Sequence, residues 1–233
     1  MDDWTILIER GRSARSQMAF DGRLAQEAVP LVRLFTWDPP AVSFGCRQPR
    51  PDWFDEARWR DSGFDWVERP TGGGIALHGS DVSLAVVVPR AIGLPLDRLM
   101  GLVCQSAVRL CRSYELEATP QLEAERPRRI TYCLSEQSPY AVTIDGYKVG
   151  GFALRRYRES WLIQGSLLVR SLPRRMAQAI PREVTEALRQ RALSLAEASA
   201  TPVTESDVVR RWAAQWGAWW EELLLGQLEA VVG

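Results

Sequence analysis

Residues 140–170, YAVTIDGYKVGGFALRRYRESWLIQGSLLVR, decide the architecture. The stretch is rich in strand formers. Asp145-Gly146 closes a tight hairpin, because both central turn positions need positive φ. Arg158-Glu159-Ser160 makes a second, less specific turn. Three consecutive strands are therefore expected at 140–144, 147–157 and 161–169, antiparallel because their links are short. In the second strand Lys148 is followed by Gly150 and Gly151. Glycine inside a strand marks a bulge or a close backbone approach. A lysine here is expected to point across the sheet into a pocket.

Upstream, Trp4 to Glu9 reads as a strand and Ser16 to Ala28 as a helix with Met18, Leu24 and Ala25 on its apolar side. Short strands at 32–37 and 41–46 flank the turn signal Asp38-Pro39-Pro40. Asp52 is placed to cap a helix to Arg60. Trp66 to Arg69 and Ser83 to Val88 read as strands around a glycine-rich stretch. Residues 95–112 carry Leu96, Leu99, Met100, Val103, Ala107, Leu110 and Cys111 at helical spacing. Glu123 to Ile130, charged and broken by proline, reads as a loop. Near the end Thr204 or Ser206 caps a helix with Val209, Trp212, Trp216, Trp220 and Leu223 on one face, an aromatic stripe expected to be core. The fold class is α+β, a mostly antiparallel sheet with helices packed on it, and one domain over 1–233.

Bulk properties narrow the function. The 233 residues carry 29 basic and 29 acidic side chains, for zero formal charge. A general nucleic-acid binder would show a basic excess, so no nucleic-acid partner is expected. The longest apolar runs fall far below the roughly 18 residues of a membrane span, and no signal-peptide pattern is seen. Cys46, Cys104, Cys111 and Cys133 form no CxxC pair and no metal-ligand spacing. Free thiols in a cytoplasmic compartment are expected. Cys104 and Cys111, on the long helix, read as core.

Of the 29 basic residues only Lys148 is lysine, and His78 is the sole histidine. A chain that uses arginine almost everywhere has kept one compact ammonium, whose charge state burial can tune. Arg69-Pro70-Thr71-Gly72-Gly73-Gly74-Ile75-Ala76-Leu77-His78 is the second candidate. Three glycines cost backbone entropy, and they let backbone N–H groups approach a ligand closely. Cys133 is the third. It follows Arg126, Arg128 and Arg129, and a thiol beside positive charge can serve as a nucleophile.

Taken together these residues resemble the biotin/lipoate protein ligase superfamily, in its lipoate-protein ligase A and octanoyltransferase branch. Arg69, Thr71 to Gly74 and His78 match an Arg-x-Ser/Thr-Gly-Gly-Gly-x-x-x-His motif. Gly146, Lys148, Val149, Gly151 and Ala153 match Gly-x-Lys-(Val/Ile)-x-Gly-x-Ala. Gly165 to Leu168 match a later Gly-(Ser/Thr)-(Leu/Ile)-Leu strand. Met18 to Asp21, Trp37 to Pro40, Ser43 to Gly45 and Ser194-Leu195 are further likenesses. The resemblance implies a class II synthetase or biotin-ligase-like sheet, with the glycine loop and Lys148 around an acyl group.

Cysteine fifteen residues before the lysine, with Ser138, Tyr140 and Gly146 between, resembles the octanoyltransferases of Gram-positive type. That resemblance implies catalysis by Cys133 and Lys148, with Arg69, Thr71, Gly72, Gly73, Gly74, His78, Gly151 and Ala153 binding substrate. It implies an octanoyl-acyl-carrier-protein donor and a lipoyl-domain acceptor, either glycine cleavage H protein or a 2-oxoacid dehydrogenase E2. No cofactor is needed. An ATP- and Mg²⁺-dependent lipoate ligase, a lipoyl amidotransferase and a non-catalytic acyl-binding module remain alternatives. Four positions depart from the patterns: Phe152 stands where Ser is usual, Leu154 for Gln and Gln164 for His. Gly74 stands where these transferases often have Arg. Phe152 is expected to shorten or reshape the acyl pocket.

Overall fold

The computed structural model describes residues 4–122 and 130–217. The three strands of the 140–170 stretch form as read: β8 (Ala141–Ile144), β9 (Tyr147–Arg156) and β10 (Ser160–Leu168). They extend into a seven-stranded sheet with β1 (Thr5–Glu9), β2 (Leu31–Phe35), β6 (Asp81–Pro89) and β7 (Ala118–Gln121), in the order β1-β2-β6-β10-β9-β8-β7. Every neighbouring pair is antiparallel except β1 and β2. A second sheet of three strands, β4 (Asp65–Glu68), β3 (Ala41–Phe44) and β5 (Ala76–His78), carries the glycine-rich segment. The strands on either side of Asp38-Pro39-Pro40 thus belong to different sheets. The fold is α+β and mostly antiparallel.

The long amphipathic helix α3 (Leu96–Arg112) buries Leu99, Met100, Val103, Ala107 and Leu110 against one face of the large sheet. Cys104 and Cys111 are fully buried there, and burial pushes both thiols up to about 12, so they are inert at neutral pH. A helix over 205–217 covers the same face with Val209, Trp212 and Trp216. Thr204 caps it, its hydroxyl accepting the Asp207 N–H at 3.2 Å. Trp220, Leu223 and the arginines at 126, 128 and 129 lie outside the described residues.

Helix α1 (Ala14–Gln26) packs on the opposite face with Met18 and Ala25. A third apolar cluster joins the small sheet to α2 (Glu56–Asp61), α4 (Arg174–Ala179) and α5 (Arg182–Arg191). The start of α2 differs from expectation. Asp55, not Asp52, is the cap, accepting the Arg58 N–H at 2.7 Å. Trp53 and Phe54 are drawn into an aromatic cluster with Trp59 and Trp66, which holds 52–54 out of the helix. Among the described residues no helix is long and apolar enough to cross a membrane.

Beneath the α1 face Arg33 is wholly buried. Its Nη1 donates to Asp21 at 2.6 Å, and its other nitrogens reach Glu9 and Gln17. Removing one partner from a buried pair strands the other charge, at about 3–5 kcal/mol. Arg33→Leu is therefore expected to lower the urea midpoint by an amount equivalent to about that loss. An unchanged midpoint would show that the network contributes nothing.

Candidate active site

The three sequence candidates meet in one place. A cavity of about 420 Å³ is lined by Arg69, Gly72, Gly73, His78, Cys133, Lys148, Gly151 and Ala153. Apolar walls from Met18, Phe35, Leu84, Leu134 and Leu154 complete it. The size is ordinary for a small-molecule site.

A register shift in β9 aims the lysine. Val142 pairs with Gly150, but the next residue, Thr143, pairs with Lys148, leaving Val149 as an extra residue. Strict alternation would set Lys148 and Gly151 on opposite faces. The bulge places them on the same one, with the Lys148 Cε only 3.2 Å from where a Gly151 Cβ would sit. Gly151 thus leaves room beside the lysine, while at Gly150 a Cβ would stand 2.4 Å from the Ser166 carbonyl oxygen of β10. Lys148 is buried, and its Nζ donates to Ser138 Oγ at 2.7 Å and to the Glu136 carbonyl at 3.0 Å. Burial lowers its pKa from the ordinary 10.5, and negative charge at Cys133 and Glu136 opposes that shift.

The loop carrying Cys133 is stitched to the glycine motif. The Ile75 N–H donates to the Thr131 carbonyl at 2.7 Å, and the Cys133 N–H donates to the Ile75 carbonyl at 2.9 Å. The Glu136 carboxylate accepts the N–H groups of Thr131 and Tyr132. Arg69 supplies the cation beside the sulfur, with Nη2 at 3.4 Å from Cys133 Sγ. The same nitrogen donates to the carbonyls of Gly72 and Gly74, so one guanidinium holds both the loop and the thiol.

The three glycines of the triplet have different surroundings. Gly72 faces open space, with nothing within 4 Å of where a Cβ would sit. Gly73 has φ +93° and lies against Arg69 and Cys133. At Gly74 a Cβ would stand 2.6 Å from the Thr131 carbonyl oxygen and 2.8 Å from that of Ile130. Gly74→Ala must therefore push the cysteine loop away, at about 1–3 kcal/mol. It is expected to lower the melting temperature and slow any reaction at Cys133 together; wild-type values for both would show that the loop does not rest on Gly74.

Thr71 is wholly buried, its hydroxyl donating to Gln164 Oε1 at 2.9 Å. Gln164 Nε2 donates in turn to Asp21 at 2.6 Å. Thr71 thus ties the loop to β10 and the Arg33 network rather than facing the cavity. His78 lines the cavity with its ring, stacked on Trp37 at 4.1 Å. Both its nitrogens are engaged, Nε2 with Ser43 Oγ at 2.8 Å and Nδ1 with Asp81 at 2.7 Å. The Phe152 ring lies over Gly165, where a Cβ would meet it at 2.2 Å, and belongs to the α3-side core while bordering the cavity. Sequence reasoning does not single out Ser43, Asp81, Glu136 or Gln164 as site residues. The available signals are the His78-x-x-Asp81 spacing, the family likeness at Ser43 to Gly45 and the place of Gln164 at a motif His.

A family model for the lipoyl protein ligase A/B catalytic domain matches residues 13–217. The octanoyltransferase LipM of Kyrpidia tusciae is 30% identical over 72% of this chain and 67% of its own length. That of Symbiobacterium thermophilum is 29% identical over 91% and 84%. A lipoate-protein ligase A structure bound with ATP superposes with a TM-score of 0.71 at 18% identity, over 92% of this chain and 83% of its own, a likeness of fold. With the family match spanning both the glycine motif and the lysine strand, the chain belongs to the lipoyl protein ligase A/B catalytic domain family.

Proposed function

We propose that the chain is an octanoyltransferase of protein lipoylation, with Cys133 as the acyl carrier. The observation that carries this reading is the convergence of Cys133, Arg69 and Lys148 on one largely apolar cavity. An octanoyl chain fits such walls, each buried CH₂ contributing roughly 0.8 kcal/mol.

The reaction runs in two halves. The Cys133 thiolate attacks the thioester carbonyl of octanoyl-acyl-carrier protein. The oxyanion that develops lies near the Lys148 ammonium, a stabilisation of about 3 kcal/mol in comparable sites. The carrier's C–S bond breaks, and its departing thiolate takes the proton of Lys148. Octanoyl-Cys133 no longer carries the negative charge that favoured the ammonium, so burial pulls Lys148 further toward its neutral form. The acceptor amine of a lipoyl-domain lysine then attacks the Cys133 thioester and passes its proton to Lys148. The amide leaves, and both groups regain their starting states. No nucleotide or metal enters this sequence.

Intact-mass measurement after mixing with octanoyl-acyl-carrier protein, without ATP, tests the reading. An adduct of one octanoyl group is expected. Acceptor labelling that requires lipoate and ATP, with no adduct, would overturn it in favour of a ligase. An adduct formed only from an octanoylated lipoyl domain would overturn the donor assignment and indicate amidotransfer.

A further inference from the structure

Behind Arg69 runs a buried chain of hydrogen bonds that the two-step transfer does not use. Arg69 Nη1 donates to Ser43 Oγ at 3.1 Å and to the Ser43 carbonyl at 3.2 Å. Ser43 Oγ lies 2.8 Å from His78 Nε2, and His78 Nδ1 lies 2.7 Å from Asp81 Oδ2. All four side chains are buried: Ser43 is 1%, Asp81 2%, His78 5% and Arg69 8% exposed.

The two ends of the chain fix the directions of their own bonds. A guanidinium only donates, and a carboxylate only accepts. Asp81 is held as a carboxylate: burial alone would raise its pKa, and the neighbouring His78, the Gly79 N–H and the Ser83 hydroxyl outweigh it. His78 Nδ1 therefore donates to Asp81, and with the ring in its neutral form Nε2 is the acceptor. Ser43 gives its hydroxyl hydrogen to Nε2, which turns an oxygen lone pair toward Arg69. Trp37 locks the ring by stacking on it, and its Nε1 donates to Ser83 Oγ, itself a donor to Asp81. The three strands of the small sheet frame this chain: Ser43 lies on β3, His78 ends β5, and Arg69 follows β4 directly.

We propose that Ser43, His78 and Asp81 are positioning residues that fix the Arg69 guanidinium against Cys133 Sγ, so that Arg69 sets the reactivity of the thiol. This deepens the transferase reading and rests on it for the acyl-loading part. It gives His78 a role behind the guanidinium in place of a polar contact to substrate.

Ser43→Ala removes only the hydroxyl. Two rates decide the matter: iodoacetamide modification of Cys133, followed by peptide mapping, and single-turnover octanoyl loading. Both are expected to fall by about tenfold to a hundredfold, the scale of a misplaced catalytic group, with the KM for the octanoyl donor unchanged. Asp81→Asn should slow both in the same manner. Arg69→Lys combined with Ser43→Ala should be no slower than Arg69→Lys alone, because the hydroxyl acts through the guanidinium. Wild-type rates in Ser43→Ala and Asp81→Asn, or multiplying effects of Ser43→Ala and Arg69→Lys, would overturn the proposal. If the wild-type protein takes no octanoyl group the transferase reading fails, and the iodoacetamide rates still decide the positioning role.

Discussion

Cys133→Ser is expected to abolish octanoyl transfer, lowering kcat/KM by roughly a thousandfold or more, as loss of a covalent nucleophile does. The substitution replaces sulfur by oxygen in a loop whose backbone is tied to the glycine motif, so fold and donor binding should survive. A serine hydroxyl at neutral pH lacks the thiolate character that a neighbouring guanidinium can support. The matching observation is that donor still binds while no octanoyl adduct forms. Substantial ATP-independent transfer by the variant would remove Cys133 from the chemistry. Cys46, also half-buried beside the glycine loop, is the thiol to test in that event.

Lys148→Met is expected to lower kcat/KM for transfer by about a hundredfold to a thousandfold, because it removes the charge at the oxyanion and the proton acceptor for the second half. Its effect on stability should be of the other kind. An ammonium in this site is burdened by desolvation, only partly relieved by Glu136 and Ser138. Lys148→Met should therefore leave stability close to wild type at neutral pH. The pH dependence has a definite sign. The folded pKa lies below the ordinary 10.5, so between the two values the unfolded chain holds a proton that the folded chain has released. In that window Lys148 makes the wild-type protein more stable as pH rises, and the variant lacks this rise. Denaturant titrations of both proteins across that alkaline window check it. A variant that unfolds readily at neutral pH would mean that Lys148 is structural.

The parts of this molecule legible in its sequence are those governed by local rules. Asp145-Gly146 announces its hairpin, the apolar repeat of 96–112 its helix, and Thr204 its cap. The lone lysine and the triple glycine point to the site without any fold. What stays hidden depends on tertiary neighbours. β7 contains Pro120, which argues against a strand, and a sheet edge tolerates it. β5 is three residues inside the glycine motif, and only its pairing with β3 makes it a strand. The structure places Arg69 beside the Cys133 sulfur, sixty-four residues away in sequence, a contact no local pattern announces. No local pattern reveals that Ser43 stands across His78 from Asp81, or that Gln164 joins Thr71 to Asp21.

The central claim is that Cys133 carries the acyl group on the route to product. The direct measurement is to load the protein from octanoyl-acyl-carrier protein without ATP and remove the donor. The isolated adduct is located by peptide mass mapping and then given an apo lipoyl domain. The account predicts octanoyl on Cys133, lost as the lipoyl-domain lysine gains one octanoyl group. An adduct on another residue, or one on Cys133 that stays in place while the acceptor remains unmodified, would contradict it.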